Sequence, residues 1–209
     1  MEKGKFMCKI GAIILAAGQS KRMGEPKLFL PFQDTPIIHY PIEMAVQHKL
    51  EPIVVVGGKY YDQLKEELKP FYPSLSLIYN EQHANGMSTS LIEGINSIDG
   101  DLDAVLIFLG DQPLVAHQVV EKLIDTYQKN RENGIYIVRP RYEQQPGHPI
   151  LFDRSLFNQF QNLKGDEGGK SIIKANKEHL QYVDFEQTDW NLDIDTKQDY
   201  KHLLQYYGN

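Results

Sequence analysis

The most informative segment of the chain reads LAAGQSKRMGEPK, residues 15–27, and it follows directly on an apolar run that ends at Leu15. Its small residues allow backbone N–H groups to approach a phosphate closely, and Arg22 and Lys27 can neutralise that phosphate. A P-loop needs Gly-Lys-Ser/Thr after its second glycine, and a dinucleotide fingerprint reads GxGxxG. The segment fits neither pattern, so P-loop ATPases and Rossmann dehydrogenases are disfavoured.

Strands and helices alternate outward from this loop. Apolar runs typical of buried strands lie at residues 10–17, 53–56, 75–79 and 104–109, and residues 36–48, 61–68 and 87–98 have helical spacing. The second half predicts a helix over 116–130, strands over 135–138 and 148–152, Gly-rich turns at 145–148 and 165–169, and a closing helix over 196–206. This order predicts one α/β domain with a mostly parallel sheet covered by helices on both faces.

Composition excludes several classes of protein. With 22 basic and 28 acidic residues, the 209-residue chain has a net charge of −6 and no long basic run, so neither nucleic-acid nor membrane binding is expected. A single cysteine, Cys8, cannot form an internal disulfide. Residues 1–9 carry mixed charge, and the apolar run at 10–17 is too short to span a bilayer. We therefore expect a cytoplasmic protein.

Three aspartates are candidates for a Mg²⁺ site. Asp111 follows the apolar run 104–109 and should emerge at the carboxyl edge of the sheet, where ligands of open α/β sheets bind. Magnesium prefers carboxylate and phosphate oxygens together. Asp193 and Asp195 precede the closing helix. Asp111 could instead simply open a Gly-Asp-X-Pro turn, and Asp195 could be a helix N-cap.

Further polar residues flank the third strand and the later turns. Asn80, Gly86 and Ser88 could contact a base or ribose, although Ser88 is equally explained as a helix cap. The candidate nucleotide ligands are Leu15, Ala16, Ala17, Gly18, Ser20, Arg22, Lys27, Asn80, Gly86, Ser88 and Asp111. The candidate acceptor ligands are Pro113, Gly147, His148, Asp166, Gly169 and Lys170.

The motifs LAAGQSKRMGEPK, GMSTSL, GDQP, GHP, GDEGGK and DIDT follow the order seen in the MobA-like nucleotidyltransferases, and the match spans almost the whole chain. The Ala-Ala-Gly loop is similar to that of the molybdenum cofactor cytidylyltransferases, and the chain also resembles purine-catabolism proteins that accompany xanthine dehydrogenase. The resemblance implies a single-domain, Rossmann-like nucleotide-diphospho-sugar transferase fold. Its nucleotide half would be residues 9–115 and its acceptor half residues 116–209.

The same resemblance implies an activity and a set of roles. The protein would use CTP and Mg²⁺ to attach CMP to the terminal phosphate of molybdopterin. The product would serve the maturation of a xanthine-dehydrogenase-type molybdenum hydroxylase. Arg22, Lys27 and Asp111 would be the catalytic residues, with Asp195, or alternatively Asp193, as the second metal carboxylate. Gln112 and Lys170 depart from residues found in other members, methionine and arginine respectively, and both positions bear on substrate preference.

Two alternatives are consistent with these motifs. A related nucleotidyltransferase could use a sugar phosphate or methylerythritol phosphate as the acceptor. A protein of another class, a molybdenum cofactor carrier or insertion chaperone, could bind the cofactor without catalysis and dock transiently on a hydroxylase.

Overall fold

A computed structural model describes residues 8–98 and 100–208. The strands are β1 (Ile10–Ala16), β2 (Pro31–Phe32), β3 (Thr35–Pro36), β4 (Ile53–Gly57), β5 (Ser76–Tyr79), β6 (Ala104–Leu109), β7 (Ile137–Tyr142), β8 (Gln145–Pro146), β9 (Ile150–Asp153) and β10 (Leu180–Phe185). The helices are α1 (His39–Gln47), α2 (Tyr61–Glu67), α3 (Met87–Asn96), α4 (His117–Asn130), α5 (Lys170–Ala175) and α6 (Lys197–Tyr207).

The central sheet has the strand order β10-β7-β9-β6-β1-β4-β5. All neighbours along this path are parallel except those of β9, which runs antiparallel to both β6 and β7. The carboxyl ends of β1, β4, β6 and β7 therefore lie at one edge, together with the start of β9. The predicted mostly parallel sheet is confirmed.

Helices cover both faces of the sheet, as predicted. One core joins α1, α2 and α4 to alternate strand residues such as Ile14 and Phe108. The other joins α3 and α5 to the intervening residues, including Ile13 and Ile107. Burial on both faces explains why β4 reads as a continuous β-branched run rather than an alternating one.

A third, smaller cluster attaches the end of the chain to the β2–β3 hairpin. Phe32 and Ile37 pack there against Ile194 and Leu203, and all four are buried. This packing explains how the segment that carries Asp193 and Asp195 returns to the edge where β6 ends.

Several predicted boundaries are corrected by the structure. The helix predicted from residue 36 begins at His39, because residues 35–36 form β3. The strand predicted over 135–138 is β7 and continues through Pro140 to Tyr142. The Gly-rich turn at 165–169 leads into α5, and β10 had no counterpart in the prediction.

Two capping assignments are also corrected. The N-cap of α6 is Thr196, whose side chain forms a capping box with Asp199, so Asp195 is not the cap. The N-cap of α3 is Gly86, so Ser88 is not the cap either. Among residues 8–98 and 100–208, no helix has both the length and the apolar character needed to cross a bilayer. Of the N-terminal segment 1–9, residues 1–7 lie outside the described residues.

Candidate nucleotide site

A cavity of about 530 Å³ opens at the carboxyl edge of the sheet, beside the ends of β1 and β6. The whole loop from residue 15 to residue 22 lines it, together with Lys27. Gly86, Asp111 and Asp166 contribute from other parts of the chain, and so do Asp193 and Asp195. The fold thus brings together residues separated by up to 180 positions, and this is the edge at which open α/β sheets bind ligands.

The first loop is held by its own hydrogen bonds. Ser20 has φ +51° and its carbonyl oxygen accepts from the backbone N–H groups of Met23 and Gly24, both at 3.1 Å. The Ser20 hydroxyl oxygen accepts from the backbone N–H of Lys27 at 3.3 Å. Met23 is 1% exposed and anchors the loop in the core. This turn projects Arg22 and Lys27 towards the aspartates.

Lys27 lies at the centre of the charged groups. Its Nζ donates to Asp111 Oδ2 and, at 2.9 Å, to Asp195 Oδ1. The lysine is only 8% exposed. Burial acts to lower the pKa of Lys27, but the charge of Asp111 and the bonds to both aspartates outweigh it and raise that pKa. The ammonium therefore stays charged and bridges two carboxylates.

Arg22 and Asp193 complete the charged cluster. Arg22 donates to Asp195 at 2.7 Å from an exposed position. Burial and the neighbouring Asp111 raise the pKa of Asp193 to about 6, and Gln112 donates to its Oδ1 at 2.8 Å. Burial acts to raise the pKa of Asp195, yet bonds from Lys27 and the charge of Arg22 hold that pKa below its usual value.

The three aspartates are suitable oxygen donors for a hard divalent cation, but Lys27 occupies the space between two of them. No group of three or more His, Cys, Asp or Glu side chains in the described residues is arranged to hold a metal on its own. Magnesium commonly binds through one or two carboxylates with substrate phosphates supplying further oxygens. The donor set therefore fits a cation that arrives with a phosphate ligand and displaces the ammonium.

Asn80 is buried beneath the cavity and makes structural hydrogen bonds. Its Nδ2 donates to Thr89 Oγ1 at 2.8 Å and to Ser90 Oγ at 3.0 Å, and its Oδ1 accepts from the backbone of Gln82. Asn80 is 1% exposed, and Ser88 is fully buried, so neither side chain lines the cavity. Asn80 joins the end of β5 to α3.

The glycine at the start of α3 allows a second loop to close over the helix. Gly86 has φ +105°, and a Cβ there would overlap the backbone of Gly165. The carbonyl of Gly165 accepts from Ser88 N at 3.0 Å, and Asp166 accepts from Met87 N at 3.0 Å. Asp166 therefore caps α3 across the chain and forms part of the cavity wall.

The remaining predicted acceptor residues do not line this cavity. Gly147 packs against Asn191 and Tyr142, and Gly169 packs against the ring of Phe152. Pro113 borders a smaller cavity, and Lys170 is exposed at the first residue of α5. Burial, with a further contribution from Arg139, lowers the pKa of His148 to about 3, which leaves it neutral.

Eight cavity residues were not among the predicted site residues: Gln19, Lys21, Leu28, His83, Ala84, Met87, Ser90 and Leu109. His83 begins a short 3-10 turn, and a Cβ on Gly58 would lie 2.7 Å from its Cβ. The polar cluster after Asn80 was a weak local signal for a turn, but only the packing of that turn against β4 places it at the cavity.

A family model described as the MobA-like NTP transferase domain matches residues 12–181. The chain belongs to this family. Purine catabolism protein PucB of Bacillus subtilis (strain 168) is 26% identical over 202 residues, covering 90% of this chain and 92% of that protein. Molybdenum cofactor cytidylyltransferase of Escherichia coli (strain K12) is 27% identical, covering 96% and 98%.

Solved structures agree with this assignment. Rv0371c from Mycobacterium tuberculosis H37Rv superposes with a TM-score of 0.80 at 25% identity, covering 94% of this chain and 98% of that one. A second structure of Rv0371c, in complex with manganese, has a TM-score of 0.74 and covers 95% and 99%. The resemblance to the MobA-like nucleotidyltransferases is thus confirmed, and the fold is that of a nucleotidyltransferase.

Proposed function

We propose that this protein transfers CMP from CTP to the terminal phosphate of molybdopterin and releases pyrophosphate. The observation that carries the proposal is the single cavity in which a small-residue loop, two cations and three aspartates meet at the carboxyl edge of the sheet. Full-length similarity to a molybdenum cofactor cytidylyltransferase supports the acceptor, and similarity to PucB supports a role of the product in purine catabolism. A xanthine-dehydrogenase-type hydroxylase would be the enzyme that receives this product.

Arg22 and Lys27 are assigned to the triphosphate. Arg22 is exposed at the mouth of the cavity and can turn its guanidinium from Asp195 to the leaving pyrophosphate. Lys27 is buried beside Asp111 and would stabilise charge at the α-phosphate. To do so its ammonium exchanges one carboxylate for a phosphate oxygen, which needs only a rotamer change of a flexible side chain.

Asp111 and Asp195 are the residues that would hold Mg²⁺, with Asp193 as the alternative second ligand. A bound divalent ion supplies charge neutralisation on the phosphate oxygens. The manganese complex of Rv0371c supports a divalent cation in this family. Asp193 is itself held by Gln112, and this hydrogen bond would orient its carboxylate towards the cavity.

The acceptor phosphate attacks the α-phosphorus in line. A new bond forms between an oxygen of the acceptor phosphate and the α-phosphorus. The bond between the α-phosphorus and the oxygen that bridges to the β-phosphate breaks, and pyrophosphate leaves with that electron pair. A phosphate nucleophile is already ionised at neutral pH, so no general base is needed. His148 is neutral, and we assign it no role in proton transfer. The protein's contribution is positioning and electrostatic stabilisation.

The test is to incubate the purified protein with magnesium and molybdenum-loaded molybdopterin, and to offer CTP, GTP and ATP separately. Pyrophosphate and the dinucleotide product are measured. We expect turnover with CTP alone, at least 100-fold lower in Asp111→Asn. Asp101→Asn is the matched control, because the side chain of Asp101 is 94% exposed and far from the cavity.

Each of the other outcomes would overturn a different part of the proposed function. Turnover with GTP would overturn the choice of base and keep the chemistry. Turnover only when methylerythritol phosphate or a sugar phosphate replaces molybdopterin would overturn the acceptor. Binding of molybdopterin without any product, unchanged in Asp111→Asn, would favour a carrier role.

A further inference from the structure

Arg139 is a partly buried cation that has no carboxylate partner in the described part of the chain. Its Nε donates to the carbonyl oxygen of Gly147 at 3.1 Å, and its two terminal nitrogens make no hydrogen bond to the described residues. Burial lowers the pKa of Arg139. An arginine in such a place normally pairs with an anion, because a desolvated charge without a partner is costly.

Its neighbour on the same strand shows the contrast. Arg141 makes a bidentate pair with Asp184, at 2.7 and 2.9 Å, and stacks over the ring of Tyr182. Both arginines belong to β7 and alternate with buried residues on the opposite face. Only Arg139 retains an unused guanidinium fork.

Arg139 lies on the face of the sheet that carries the nucleotide cavity. Side chains alternate along a strand, and Ile137 belongs to the same core as Ile107 of β6, so Arg139 shares that face with Leu109. Leu109 lines the cavity. Two strand spacings separate β6 from β7, and the register places Arg139 level with Ile107, two residues before Leu109, so the Cα atoms of Arg139 and Leu109 lie roughly 12 Å apart.

The hydrogen bond to Gly147 places the guanidinium at the same edge of the sheet as the cavity. Gly147 follows β8 and precedes β9, and its N–H donates to the carbonyl oxygen of Pro140 at 3.0 Å. The N–H of the next residue, His148, donates to Asn191 Oδ1 at 3.4 Å. Gln112 Nε2 donates to the same oxygen at 3.4 Å and to Oδ1 of Asp193, which lines the cavity, at 2.8 Å. The GHP turn thus connects Arg139 to the nucleotide site.

We propose that Arg139 binds a remote anionic group of the acceptor, on the far side of β9 from the phosphate that attacks, and so favours acceptors that span this strand. This inference rests on the proposed nucleotidyl transfer. A phosphorylated acceptor would lie across β9, with its phosphate at Lys27 and its far end at the guanidinium.

The experiment compares Arg139→Gln with Arg141→Gln as the matched control. Molybdenum-loaded molybdopterin is titrated at saturating CTP, and CTP affinity is measured separately by calorimetry. We expect the KM for molybdopterin to rise at least tenfold in Arg139→Gln, with kcat and the CTP Kd within twofold of the parent. Arg141→Gln should leave all three unchanged, and Arg139→Lys should recover part of the lost affinity because it keeps the charge.

The outcomes separate this inference from the proposed function. An unchanged KM in a folded Arg139→Gln variant would overturn the role of Arg139 while the transferase stands. A fall in kcat and melting temperature with KM unchanged would show a structural role, and would also overturn it. Absence of molybdopterin binding to the parent protein, with CTP bound normally, would overturn the proposed acceptor and this inference with it.

Discussion

Replacing Lys27 with methionine should free the carboxylates of Asp111 and Asp195 from the ammonium that bridges them and so make them available to a metal cation. In the nucleotide-free protein, the Lys27 ammonium bridges Asp111 and Asp195, and the three side chains are 11%, 17% and 35% exposed. Methionine has a similar length and no charge, so it fills the space without bridging the carboxylates. The substitution therefore removes the internal cation with little change in packing.

The expected loss of stability is about 2 kcal/mol at pH 7. Removing one partner of a fully buried ion pair costs roughly 3–5 kcal/mol, and partial exposure of Asp195 together with its remaining bond to Arg22 reduces that figure. The loss should shrink as pH falls, because protonated carboxylates no longer need a cation. Lys21→Met is the control, since Lys21 lines the same cavity but has no ion-pair partner among the described residues.

The same change should strengthen metal binding in the absence of nucleotide. A divalent ion must displace the Lys27 ammonium from two carboxylates in the parent protein, and one such contact is worth a few kcal/mol at an effective dielectric of about 20. Because tenfold in affinity is about 1.4 kcal/mol, the Mn²⁺ Kd should fall at least tenfold in Lys27→Met. Calorimetry and the rise in melting temperature with added Mn²⁺ both measure this without turnover.

Two results would refute the reasoning. If Lys27→Met bound Mn²⁺ no more tightly than the parent protein, the ammonium would not be competing with a metal for Asp111 and Asp195. If the variant were as stable as Lys21→Met, the bridge would contribute nothing to folding.

Three further predictions concern two positions beside the cavity, Gly86 and Asn80, and one at the opposite edge of the sheet, Asp103. Gly86→Ala should lower the free energy of unfolding by about 2–4 kcal/mol and Gly100→Ala by about 1–2, measured by chemical denaturation, because both have φ +105° but only Gly86 faces a neighbouring backbone. Asp103→Asn should cost about 1 kcal/mol at pH 7, with exposed Asp101→Asn as the control. Burial acts to raise the pKa of Asp103, yet a backbone hydrogen bond and an arginine pair lower it, so its contribution is present above about pH 4 and is lost as pH falls through the folded pKa. Asn80→Ala should cost about 2–3 kcal/mol by the same denaturation measurement, whereas a direct contact of Asn80 with the base would instead weaken CTP binding with stability unchanged.

Local patterns were sufficient where short-range physics decides the structure. The apolar runs of β1, β4 and β6 are buried on both faces, so they are recognisable without knowledge of their neighbours. The LAAGQSKRMGEPK loop is likewise informative, because a tight turn, close backbone approach and two cations are all encoded within 13 residues, 15–27. The alternation of these strands with amphipathic helices predicted the parallel sheet.

Tertiary packing alone decided how the site is assembled. Asp195 could be a cap or a ligand from the sequence; the capping box of Thr196 excludes the cap, and Lys27 pairs with Asp195 from the other end of the chain. The sequence offered the amide of Asn80 to a ligand, but burial against α3 uses both of its N–H donors and a bond to its oxygen within the protein. Such choices depend on long-range contacts, which leave no periodic signal in the sequence.

Arg139 is the sharpest case. Arg139 and Arg141 occupy alternate positions of one strand and are equivalent in the local pattern. They differ because β10 places Asp184 opposite Arg141 but Tyr182 opposite Arg139, whose guanidinium donates to the carbonyl oxygen of Gly147. The sequence by itself determined the fold class and identified the loop of residues 15–27 that lines the cavity. Which of the two arginines has a carboxylate partner was decided by strand order, because the partner comes from the neighbouring strand β10.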